Sequence, residues 1–150
     1  EVLVETVFDI GETFCSPVNS SLGRPVTMAV QGSPRVIDQD VTLRATNVPT
    51  GSFIQFFTSQ TMTQVPGAGG SLGLLCVGGA IGRYSAPGQI QQAGPTGRVE
   101  LSIDVSAIPT PTGFVPVHVG ETLLFQAWYR DTSAGAAVSN FSDAVQISFE

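Results

Sequence analysis

The stretch Arg98-Val99-Glu100-Leu101-Ser102-Ile103-Asp104-Val105 decides the fold class. Every second residue is apolar, and both acids fall on the opposite side. A side-chain period of two belongs to a β-strand with one face on a core and one in water. The same alternation recurs where Val41, Leu43 and Ala45 interleave with Thr42, Arg44 and Thr46, and more briefly where Val26, Met28 and Val30 interleave with Thr27 and Ala29. Residues 53–58 read as a more fully buried strand, and residues 121–130 and 144–150 supply two more. In the last, Val145, Ile147 and Phe149 point one way while Gln146 and Ser148 point the other. A polar, turn-like loop over residues 131–135 is expected to join these two strands. Apolar residues nowhere keep helical spacing through a helix-length window.

Short strands separated by Gly- and Pro-rich turns predict an all-β fold, a two-layer antiparallel β-sandwich of Ig-like or jelly-roll-like type with about seven to nine strands. A closed barrel stays open as the alternative, because periodicity does not distinguish the two. The sequence divides into an N-terminal strand or linker, residues 1–12, and a sandwich domain, residues 13–150. Pro66-Gly67-Ala68-Gly69-Gly70-Ser71 has linker composition, but neither half of the chain holds enough strands to close two layers alone. It is therefore read as a long loop inside one domain.

Charge narrows the partners. The chain carries a formal charge of -6, and all six of its basic side chains are arginines. A net negative field without a cationic cluster disfavours nucleic acid and anionic membrane surfaces. Apolar runs such as Leu74-Leu75-Cys76-Val77 fall far short of the roughly 20 residues that cross a bilayer, so membrane insertion is not expected. Cys15 and Cys76 are the only cysteines. An even pair in a chain rich in Thr, Ser and Gly points to an oxidising compartment, hence a secreted, extracellular or cell-surface protein with one disulfide; two buried free thiols are the other reading.

Four stretches carry a family resemblance. They are Phe14-Cys15 followed by Pro17-Val18-Asn19-Ser20-Ser21-Leu22-Gly23; Leu75-Cys76-Val77-Gly78-Gly79-Ala80-Ile81-Gly82-Arg83-Tyr84; Phe125-Gln126-Ala127-Trp128-Tyr129-Arg130-Asp131; and Ser139-Asn140-Phe141-Ser142-Asp143-Ala144. In this order they resemble a module that recurs toward the C-termini of large secreted and surface proteins of planctomycetes, myxobacteria and marine bacteria. Ser21 stands where that module usually has Thr, and Leu22 is an extra residue before Gly23. The resemblance spans residues 14–150 and implies an extracellular accessory, anchoring or structural module without an established activity.

The residues that carry chemistry point the same way. His118 is the only histidine and lies in an extended segment, and no Ser sits in a Gly-x-Ser-x-Gly elbow, so hydrolase and zinc chemistry are not expected. The chain is read as no enzyme. Asp38, Asp40, Asp131 and Asp143 offer oxygen ligands for calcium, although no 12-residue liganding loop surrounds them and turn capping is the simpler role. Beyond calcium no cofactor is expected. Gly78-Gly79-Ala80-Ile81-Gly82 lacks the Lys and helix of a phosphate loop, and its glycines read as turn positions or close backbone contacts. Arg83 and Arg130 are expected to pair with Asp131 or Asp143 and to stack on Tyr84 or Tyr129. Trp128, Tyr129 and Arg130 form the candidate ligand set: alternation sends one aromatic to the core and the other outward, where it could stack on a glycan. Asn19-Ser20-Ser21 and Asn140-Phe141-Ser142 match the N-glycosylation pattern.

The N-terminal residues Val2, Val4, Val7, Phe8 and Ile10 are too apolar for a solvated linker. They either cover their own sandwich or act as an assembly strand that completes the sheet of the next subunit, giving a head-to-tail filament. Expected partners are thus a second copy of the chain or a host surface protein, with a glycan as the alternative.

Overall fold

The computed structural model describes residues 8–150. The described chain is all β apart from two single-turn 3-10 segments. Its strands are β1 (Asp9–Ile10), β2 (Glu12–Phe14), β3 (Thr27–Gly32), β4 (Val41–Thr46), β5 (Phe53–Ser59), β6 (Thr61–Pro66) and β7 (Leu74–Gly78). They continue as β8 (Gly82–Arg83), β9 (Gln91–Gln92), β10 (Val99–Ile103), β11 (Ile108–Thr110), β12 (Gly113–Val115), β13 (Thr122–Ser133) and β14 (Ala136–Ser148). One sheet has the order β1-β3-β4-β10; the other has the order β2-β14-β13-β5-β8, with β9 also on β5. All pairings are antiparallel, and β6–β7 and β11–β12 form separate hairpins.

The main core is drawn from both sheets. Val30, Leu43 and Val99 of the first sheet cluster with Ile54, Phe56, Phe125, Tyr129 and Ile147 of the second. Each fully buried side chain of this size contributes roughly 1.5–3 kcal/mol by leaving water. The alternation read from the sequence is kept: Leu123, Phe125, Ala127 and Tyr129 face this core, while Leu124 and Trp128 belong to a second cluster on the other face of the same sheet. Over that second face lies the β6–β7 hairpin, which brings Cys76 and Val77 against Phe57, Leu124 and Phe141. Cys15 and Cys76 form a disulfide with Cα atoms 6.1 Å apart. It ties the segment after β2 to β7 and, by chain entropy, closing a loop of this length is worth about 4 kcal/mol. Of the Gly-rich residues 66–71, Pro66 ends β6 and residues 67–71 lie in the connection to β7.

The expected loop at residues 131–135 is instead mostly strand. Asp131, Thr132 and Ser133 pair with Val138, Ala137 and Ala136. Only Ala134 and Gly135 turn the chain, with φ of 51° and 80°. Positive φ at both central residues gives the type I′ geometry that matches the twist of a two-residue hairpin. The pair Ala-Gly supplies it without the usual Asn-Gly or Asp-Gly signature.

Further along this long hairpin, Gln126 faces Ala144 and Trp128 faces Phe141, so Ser142 and Asp143 together oppose Ala127. This bulge shifts the alternation of β14 by one residue. Phe141 and Ala144 consequently both belong to the outer cluster.

At the N-terminus, Asp9 and Ile10 pair with Gln31 and Val30 of the same chain, and Ile10 packs on the main core. Phe8 is exposed. Val2, Val4 and Val7, the other members of the expected assembly strand, lie outside the described residues.

Candidate functional site

The four motif stretches meet around one buried side chain. Gln126 is fully buried on the outer side of β13. Its Oε1 accepts the backbone N–H groups of Cys76 at 2.9 Å and Val77 at 3.3 Å. Its Nε2 donates to the carbonyls of Leu74 at 2.9 Å and Ser142 at 2.8 Å. One amide thereby uses both its acceptor lone pairs and both its donors, and it joins β7 and β14 to β13 beside the disulfide. Two residues before Ser142 in β14, Asn140 is also fully buried; its Nδ2 donates to the carbonyls of Val18 and Asn19 and its Oδ1 accepts the N–H of Phe141. This committed, buried amide is closed to glycosylation in the folded chain, whereas Asn19 is exposed.

The carboxylates are likewise committed one by one. Asp131 accepts the N–H of Ser21 at 2.8 Å, and Asp143 accepts the N–H of Met28 at 2.6 Å. The bulge places Ser142 Oγ to accept the Ala127 N–H, and its neighbour Asp143 reaches across to β3. Burial pushes the Asp143 carboxyl up to about 6, against the opposing pull of the Met28 N–H. Asp38 takes the Ser33 hydroxyl and faces Arg35 at 3.7 Å, while Asp40 is exposed. Among the described residues no group of three or more His, Cys, Asp or Glu side chains stands close enough to hold a metal ion. Asp38, Asp131 and Asp143 thus act as separate ties within the chain. His118 is exposed, with Nδ1 2.8 Å from Glu121.

The expected arginine locks form differently. The Arg130 guanidinium lies 4.6 Å from the ring centroid of Trp128 and not on a tyrosine. Arg130 and Trp128 are two apart and share the outer face, whereas Tyr129 points into the core and is fully buried. That burial removes Tyr129 from the candidate ligand set. Its hydroxyl, like that of Tyr84, has no hydrogen-bond partner, and burial raises both phenols above their ordinary range. Neither Arg83 nor Arg130 lies within ion-pair distance of Asp131 or Asp143, and both carboxylates instead accept backbone N–H groups.

Beside the hairpin, the outer face opens into a cleft of about 370 Å³. Trp128, Phe57, Phe141 and Ile81 give it an apolar lining, and Gln55 and Arg83 add polar groups. The Gly-rich connection contributes Ala68 and Gly69 to one wall. Gly82, next to Arg83, packs so closely on the Pro109 carbonyl of β11 that a Cβ would collide with it. Gly82 therefore seats the short strand that carries Arg83 by close backbone contact, one of the roles the sequence suggested for these glycines. A second, more open groove of about 510 Å³ holds Phe53, Ser52, Arg130 and Thr132. Phe53, Gln55 and Phe57 alternate along β5, so both hollows lie along one strand face. Gln126 and the β6–β7 cover were not predicted. The only sequence signal for either was the unbroken apolar run at residues 74–77.

No protein-family model, curated protein or solved structure matches this chain.

Proposed function

We propose that the chain is a non-catalytic extracellular structural or anchoring module, a two-layer antiparallel β-sandwich with the β6–β7 hairpin as an added cover. One observation carries this reading: Gln126, Asp131, Asn140 and Asp143 of the motif stretches are spent on backbone groups of their own chain. Side chains used this way fix a rigid body, whereas a catalytic site aims them at a reacting atom. The Cys15–Cys76 disulfide supports a secreted or cell-surface setting, where such bonds persist. So does the resemblance to C-terminal modules of large secreted bacterial proteins. A reporter exported with these 150 residues at its C-terminus should stay on the envelope of a bacterium bearing such modules. Release into the medium at the level of the bare reporter overturns the anchoring role.

A specific form is a surface fibre in which the N-terminal strand of one subunit completes a sheet of the next. Sedimentation should then give concentration-dependent assemblies for the full chain and a folded monomer after deletion of residues 1–7. Monomers for both dispose of the fibre.

A carbohydrate-binding accessory module is the second reading. The half-buried Trp128 in an open cleft favours it, since an indole stacks on sugar rings. The calcium variant draws no support from Asp38, Asp131 and Asp143, which are committed separately.

A further inference from the structure

We infer that the outer face of the six-stranded sheet, from Arg83 across Trp128 to Arg130 and Phe53, is a binding surface for an acidic oligosaccharide bearing carboxylate or sulfate groups. This rests on the glycan-binding reading of the same face. Charge supplies the first reason. The protein is acidic overall, yet among the described residues Arg24, Arg83 and Arg130 lie within ion-pair distance of no carboxylate, whereas Arg35, Arg44 and Arg98 each have one, and Arg83 and Arg130 of the unpaired three lie on this face. Two guanidinium forks are left beside an aromatic cleft, and a fork matches a carboxylate or sulfate in bidentate fashion.

Geometry supplies the second. Arg83 is level with Phe57, which is level with Gln126, and Arg130 lies four residues farther along β13. At roughly 3.3 Å per residue the two arginine positions are about 13 Å apart along the strands. Arg83 lines the cleft beside Trp128 and the Arg130 guanidinium lies over the indole from the other hollow, so a ligand with more than one acidic group meets both. Trp128 and Gln55 lie side by side between them, one to stack on a ring and the other to bond hydroxyls.

The third reason is the sheet itself. β5 is paired with β13 on one side and with β8 and β9 on the other, and β13 is flanked by β14. The main-chain groups of β5 and β13 are taken, so across these two strands a ligand meets side chains and not a free strand edge. Stacking and side-chain hydrogen bonds, the contacts by which saccharides are recognised, are what this part of the face offers.

The cleft's indole is also the only tryptophan of the chain, so its fluorescence reports occupancy directly. Titration with oligogalacturonate and with chondroitin sulfate oligosaccharides should give a saturable change for at least one, weakening with added salt. Arg83→Gln and Arg130→Gln, checked for an unchanged melting transition, should each weaken it by about tenfold. Arg83→Lys should fall between, keeping charge and losing the fork. Equal binding of neutral cello-oligosaccharides overturns the acidic ligand and leaves the glycan reading standing. Silence toward every saccharide overturns both, and equal binding of poly-glutamate reduces the face to general attraction for polyanions and sinks the proposal.

Discussion

The two faces of β13 are built from alternate residues of one strand and are held by different forces. On the inner face Leu123, Phe125, Ala127 and Tyr129 meet the other sheet, and all four are at least nine-tenths buried in an apolar cluster. On the outer face Leu124 and Gln126 lie under the disulfide-bonded hairpin, and Trp128 and Arg130 emerge beside it. Volume governs the inner face, because apolar side chains of the right size fill it without directional bonds. Directional bonding governs the covered outer half, because the hairpin brings backbone N–H and C=O groups that need partners once water is gone. Gln126 satisfies three of them, and the Ser142 carbonyl of β14 as well. The uncovered half has no such requirement, and there Arg130 lies over the Trp128 ring.

The comparison is broken most sharply at Phe125. Phe125→Ala should cost about 3–5 kcal/mol in denaturant unfolding, since the inner face cannot collapse around the void. Trp128→Ala, three residues on and outward, should cost under about 1.5 kcal/mol. Equal costs would mean that the outer face is core in its own right.

Gln126→Ala tests the covered half. It leaves the Leu74 and Ser142 carbonyls and the Cys76 and Val77 N–H groups without their partner, at a cost of roughly 2–4 kcal/mol. Hydrogen exchange should speed up first at Cys76 and Val77. If those amides keep wild-type protection, Gln126 does not hold the hairpin.

Asp143 sharpens the contrast through pH. Its folded carboxyl titrates near 6, above the ordinary value of 3.8, because burial disfavours its charge. The folded state thus binds this proton more tightly than the unfolded chain. The stability it contributes is fully present below about pH 4 and is lost as pH rises to about 6, with a flat response above. After allowance for solvent screening of a half-buried group, the loss is about 1 kcal/mol. Asp143→Asn keeps an acceptor for the Met28 N–H and removes the charge. The difference in melting temperature between the two proteins should therefore grow from pH 4 to 6 in favour of the variant. A constant difference would rule the titration out.

The smallest effect belongs to the turn that joins the two long strands. Ala134 carries a positive φ that costs an L-residue with a Cβ. Ala134→Asn should stabilise by about 0.5–1 kcal/mol, and a loss of stability instead would place the turn outside type I′.

Much of this contrast was legible beforehand. The period of two at residues 98–105 and 41–46 placed Val99, Leu43 and Ala45 on the core, where they are. Cys15 and Cys76 joined as a lone pair should. Trp128 and Tyr129 divided between the two faces as alternation requires. The residues of the second strand of the long hairpin, from Ala136 to Asp143, were not legible, since small side chains followed by a two-residue bulge leave no period to read. The β6–β7 hairpin was missed because its exposed Thr-Met-Thr-Gln run has weak alternation and its partner run is apolar throughout.

The sequence by itself therefore determined the strands that keep a clear period of two, such as those at residues 41–46 and 98–105, the side of each on which apolar residues lie, and the pairing of two cysteines. These are properties of a backbone that repeats every two residues and of a residue count. Only the tertiary structure decided which outward residues would be covered, because the cover arrives from β7, some fifty residues away along the chain from Gln126. It also decided the partners of Gln126, Asn140, Asp131 and Asp143. Those partners are backbone groups, identical at nearly every position, and only folding selects which of them come within reach.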